Sequence, residues 1–115
     1  MPKALVVDRD YYFGQYLSYL IDTQSKFSAK SVKHSSSLRD KLDADLLIID
    51  YSSLSWFDLQ SIKKKIPTIL ISAYKLRLKK DKVLKKIKYA GEFLKYEIVD
   101  RKKRSFINHL NKLAN

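Results

Sequence analysis

DLLIID, residues 45–50, is the stretch on which the fold turns. Leu46 to Ile49 are consecutive aliphatic residues, which leaves no position for a wet face, and the run is too short for a helix. It reads as a strand buried on both sides, of the kind found in parallel sheets, and it delivers Asp50 at its carboxyl end. Upstream, ALVVD (4–8) repeats the form and ends on Asp8; downstream, PTILISA (67–73) repeats it with Ser72 near its end.

Helical patterns fill the intervals. YYFGQYLSYLID (11–22) places Phe13, Leu17, Leu20 and Ile21 at helical spacing, with Asp10 positioned to cap the first turn. FSAKSVKH (27–34) alternates, which predicts a strand nearer an edge. SSSLRDKL predicts a short helix with a serine cap and Leu38 and Leu42 inward. A further short helix is expected over 57–65, and another over 75–91 with Val83, Leu84 and Ile87 on one face and Gly91 at its stop. EFLKY (92–96) reads as a short strand. DRKKRSFINHLNKL (100–113) reads as a last helix capped by Asp100, burying Phe106, Ile107, Leu110 and Leu113.

Apolar strands alternating with amphipathic helices predict an α/β fold, a doubly wound five-stranded parallel sheet with helices on both faces, because right-handed crossovers leave little else. Ligand sites in such sheets lie at the carboxyl ends of the strands. Here those ends carry Asp8-Arg9-Asp10, Asp50 and Ser72, brought from distant parts of the chain.

Composition sets the outer bounds. A length of 115 residues fits a single domain, 1–115, and 45% hydrophobic content fits a folded one. There is no cysteine, so disulfides and thiolate metal sites are excluded. No apolar run approaches the roughly 18 residues of a membrane span, and MPKALVVD lacks the apolar core of a signal peptide, so a cytoplasmic location is expected. His34 and His109 have no third ligand at metal spacing and read as solvated surface.

LVVD, DLLIID, ISA and AGEFL, in this order and across the whole chain, make the sequence similar to the receiver domain of two-component response regulators. The resemblance implies the flavodoxin-like strand order 2-1-3-4-5 and a role in phosphorelay signal transduction rather than as an enzyme. It implies that Asp50 is the phospho-acceptor position of a phosphoprotein, that Ser72 and Phe93 are the switch positions, and that Asp8, Asp10 and Asp50 hold Mg²⁺. A histidine kinase or other signalling protein, and an output domain, are the implied partners.

Several residues depart from the family's pattern. Arg9 stands where a second acid is usual. The lysine position falls on Tyr96, with Lys95 one residue early, so strand alternation is expected to turn Lys95 away from the site. Two arrangements follow for Arg9. In the first, its guanidinium sits among Asp8, Asp10 and Asp50 as a permanent counter-ion, which makes the domain a pseudo-receiver that works by docking; a planar, weakly hydrated cation suits that place best. In the second, Arg9 swings to solvent, Asp10 shifts in, and Asp50 stays phosphorylatable with weakened metal affinity. Asp10 also has the simpler role of helix cap.

A net charge of +12 favours acidic partners. Residues 75–88 hold eight basic residues and one acid, and Arg101 to Arg104 follow at the start of the last helix. An identical copy of that face would be repelled, so a protein with an acidic surface is the expected partner. Nucleic acid is the rival, given Tyr74, Tyr89 and Tyr96 beside the basic run, although no nucleic-acid-binding motif is present.

Overall fold

A computed structural model describes residues 1–33, 44–56, 66–75 and 87–114. The expected helices around Leu38 and Leu42, over 57–65 and through Val83 and Leu84 lie outside these residues, as does His34.

The apolar runs form a parallel sheet in which β1 (Lys3–Val7), β2 (Ser28–Val32), β3 (Leu46–Asp50), β4 (Pro67–Ser72) and β5 (Lys88–Leu94) take the order β2-β1-β3-β4-β5. This is the doubly wound order that the receiver resemblance implies. The register places Val7 beside Ile49 and Asp50 beside Ile71, so β1, β3 and β4 end at one level. The all-buried β3 is the centre of the sheet, and β2, whose residues are only half-buried or exposed, is an edge.

Alternation divides the core. Val6, Leu46, Ile48, Ile69 and Ile71 face α1 (Tyr11–Gln24) and the last helix, meeting Leu17, Ile21, Phe106 and Leu110. Val7, Leu47, Ile49 and Leu70 form a separate cluster on the other side. Helix α1 starts at Asp10, whose side chain accepts from the Phe13 amide at 3.2 Å, the cap read from the sequence.

The C-terminal part differs from expectation. Residues 88–91 are strand rather than the end of a helix, and Gly91 does not stop a helix but sits at a bulge in β5. Thr68 pairs with Tyr89 and Ile69 with Gly91, so Ala90 is an extra residue on the β5 side. Gly91 has φ +135°, a value L side chains avoid, and a Cβ there would lie 2.8 Å from His109 Nε2. His109 is therefore not solvated surface. It is half-buried, its ring bonded to the Ala90 carbonyl and packed on Phe93.

The strand ends at Leu94, and a short helix, α2 (Lys95–Val99), follows at once. The Asp100 amide bonds to Tyr96 O and the Lys102 amide to Glu97 O, so Asp100 closes α2 instead of capping the next helix. Helix α3 (Lys103–Leu113) starts after Lys102 with no side-chain cap, and buries Phe106, Ile107 and Leu110.

Candidate functional site

The carboxyl ends of β1 and β3 place two acids in the interior. Asp8 is 1% exposed and Asp50 7% exposed. Carboxylates buried this far need a partner. Lys95 supplies it: Nζ lies 2.8 Å from Asp8 Oδ2 and 3.5 Å from Asp50 Oδ1. The contact to Asp8 is an ion pair by distance, outside aligned hydrogen-bond geometry. Beneath the ammonium, the Phe13 ring has its centroid 5.1 Å from Nζ.

Each carboxylate spends its other oxygen locally. Asp8 Oδ1 accepts from the Asp10 amide at 2.9 Å, and Asp50 Oδ2 accepts from the Ser52 hydroxyl. Burial pushes the Asp8 carboxyl above its ordinary value of 3.8; Lys95 and the Asp10 amide pull it down without cancelling the shift. The neighbouring Asp50 charge adds a smaller upward push.

Lys95 and Arg9 have exchanged the roles expected of them. Lys95 is the first residue of α2, one past the strand, so the two-sided alternation that was to turn it away does not reach it. Tyr96, at the aligned lysine position, is exposed. Arg9 is exposed and forms no ion pair with the described acids; it is not the counter-ion. Asp10 has not shifted into the site, because its side chain is occupied at the α1 cap.

At the switch positions, Ser72 stands one residue past Ile71, the β4 neighbour of Asp50. Ser72 Oγ donates to the Tyr74 carbonyl and accepts from the Tyr74 amide at 2.9 Å, closing a tight loop after β4. Phe93 pairs with Ile71, not Ser72, and meets Phe106 edge-on at 5.1 Å between ring centroids. The β5 residue beside Ser72 is Leu94. Sequence reasoning missed Lys95 and Ser52. A lysine directly after the last strand of a sheet whose first and third strands end in aspartate was the available signal for the first.

Solved structures of similar shape share this architecture. A response regulator receiver protein from Pseudoalteromonas atlantica superposes with a TM-score of 0.74 at 16% identity, covering 99% of this chain and 98% of that one. One from Burkholderia phymatum gives 0.74 at 18% identity, covering 98% and 94%. A DNA-binding response regulator of the LuxR family from Staphylococcus aureus gives 0.73 at 17% identity, covering the whole of both chains. The chain has the receiver fold. No protein-family model matches the sequence, and no curated protein matches it significantly.

Within the receiver fold the chain's donor set can be tested against Mg²⁺, which takes a near-octahedral oxygen shell. Of the three acids expected to hold the ion, Asp8 and Asp50 converge and Asp10 does not. Among the described residues no group of three or more metal-ligating side chains comes together. The space between the two carboxylates already faces an ammonium. As the side chains stand, the ammonium is the charge that neutralises the two carboxylates. Among the described residues no helix is long and apolar enough to cross a membrane.

Proposed function

We propose that the chain is an atypical receiver module of phosphorelay signal transduction, acting by protein contact, in which Lys95 takes the place of a divalent cation between Asp8 and Asp50. One observation carries the reading: a single ammonium lies 2.8 Å from one buried carboxylate and 3.5 Å from the other. A fixed charge there neutralises the pair with no ion bound. Asp50 stands at the phospho-acceptor position and Ser72 and Phe93 at the switch positions of a pseudo-receiver held in one state. The closed Ser72–Tyr74 loop and the anchoring of Phe93 on Phe106 and His109 support that. The partner is a histidine kinase, another cytoplasmic signalling protein or an output domain, with an acidic surface that complements the net charge of +12.

The same lysine favours a second reading, a phosphorylation-competent, Mg²⁺-dependent receiver using Asp50, since attack by a carboxylate on an anionic phosphoryl group requires positive charge between them. Incubation with Mg²⁺ and a small phosphodonor, followed by intact mass measurement, separates the two. The first reading expects no adduct on the natural chain. A phosphoryl adduct on the natural chain that vanishes in Asp50→Asn overturns it in favour of the second.

A further inference from the structure

Helix α1 buries Gly14, Leu17, Leu20 and Ile21 against the sheet. Its opposite face carries aromatic rings where charged residues are the rule. Tyr12 is 84% exposed and Tyr19 70% exposed, and Tyr16 is half-buried between them. At positions i, i+4 and i+7 the three form a single row along the helix. With about 1.5 Å of rise per residue, they are spaced about 6 Å and about 4.5 Å along the axis. Tyr16 packs inward on Phe13 and the core, which leaves Tyr12 and Tyr19, two turns apart, as the open rings of the row.

Cations border this row on the α3 side. The two helices run alongside each other, tied near one end by Lys103 Nζ over the Tyr16 ring, 6.0 Å from its centroid. Near the other end the Lys26 amide donates to Asn111 Oδ1 at 2.8 Å. Arg104 is exposed and lies seven residues before Asn111, on the flank of α3 that meets α1.

We propose that the α1–α3 ridge binds single-stranded nucleic acid, with Tyr12 and Tyr19 stacking on bases and Lys103 and Arg104 holding the phosphates. Stacking platforms beside cations are how strands are bound without sequence preference. Tyrosine rings alone suit a protein surface equally, and charge decides between the two. The charge is complementary as well: the chain is +12 overall, and phosphate contacts supply most of the affinity in such complexes. The site differs from the rings expected beside the basic run, Tyr74, Tyr89 and Tyr96, and is separate from the Asp8–Asp50 pair.

Fluorescence anisotropy with a labelled oligothymidylate tests the assignment on the full chain. The natural chain should bind at low salt. Tyr12→Ala/Tyr19→Ala should weaken binding at least about tenfold with the salt slope unchanged, and Tyr12→Phe/Tyr19→Phe should keep it. Lys103→Gln/Arg104→Gln should lower the slope itself. An unchanged thermal melt shows each variant to be folded. Absence of binding at low salt overturns the proposal. So does equal affinity in the alanine pair, which assigns binding to diffuse charge, or displacement by polyglutamate as effective as by unlabelled oligothymidylate, which assigns the ridge to an acidic protein.

Discussion

The strand ends and the outer face of α1 invert the usual rule in opposite senses. At the ends of β1 and β3 the molecule buries three charged groups, Asp8, Asp50 and most of Lys95. Along α1 it exposes rings that could have been covered. Both departures oppose stability, the first through desolvation and the second through apolar surface left in water. They differ in how they are compensated. The buried charges are matched to one another within the chain, whereas Tyr12 and Tyr19 leave most of their surface to water.

The pair is the side of this comparison that breaks most visibly. Lys95→Met keeps the length and helix propensity of the side chain but leaves two buried carboxylates without a counter-ion. We expect a loss of about 3 kcal/mol in urea unfolding, at the lower end for a broken buried pair because water reaches part of the lysine. Adding Asp50→Asn should return part of that loss. A Lys95→Met chain as stable as the natural one would remove Lys95 from its place as neutralising cation.

Gly91→Ala attacks the bulge that precedes the lysine. The residue has φ +135°, and the new Cβ would meet His109 Nε2 at 2.8 Å. Strain and contact together should cost about 2 kcal/mol. His109→Ala in the same chain relieves only the contact, so the double variant should recover some stability and not all of it.

Much of this arrangement was legible in the residues, for a reason visible in β3. A consecutive aliphatic run admits only a strand covered on both faces, and three such runs alternating with helices give a parallel α/β sheet, whose strand order the receiver resemblance then implied. Asp8 and Asp50 were legible because strand ends are fixed by where the aliphatic residues stop. Lys95 was not, because its position depends on β5 ending at Leu94, and FLKY contains no proline or glycine to mark that boundary. The bulge was hidden for a similar reason: Gly91 reads equally as a helix stop or a strand kink until its partner strand is known. Arg9 was misread because charge suitability was weighed without the competing lysine, which arrives from a part of the chain 86 positions further on.

A smaller effect sharpens the electrostatic side. The Asp8 carboxyl is raised above 3.8 by burial, so the folded chain holds that proton to a higher pH than the unfolded chain does. In the window above 3.8 the folded state binds more protons, and the Asp8 contribution to stability falls as pH rises through it, by at most about 1.4 kcal/mol per pH unit. Urea midpoints across the acidic range should therefore move in favour of Asp8→Asn, relative to the natural chain, as pH increases. A difference that moves the other way would show the Lys95 pairing to outweigh burial.

The smallest expected effect falls on the other region. Tyr12→Ala and Tyr19→Ala remove rings whose surface is mostly in water already, so neither should change unfolding stability by more than about 0.5 kcal/mol. Alanine is also the better helix former, which offsets what little packing is lost. That near-neutrality separates two accounts of why the rings are there. A residue kept for the fold must cost stability when truncated, as Lys95 and Gly91 should. If either tyrosine instead costs as much as Gly91→Ala, the row is packed in solution against something within the chain, and its rings are not available to stack on a ligand. A neutral result leaves the outer face of α1 as surface that the fold does not use, held by a demand that lies outside the folded chain.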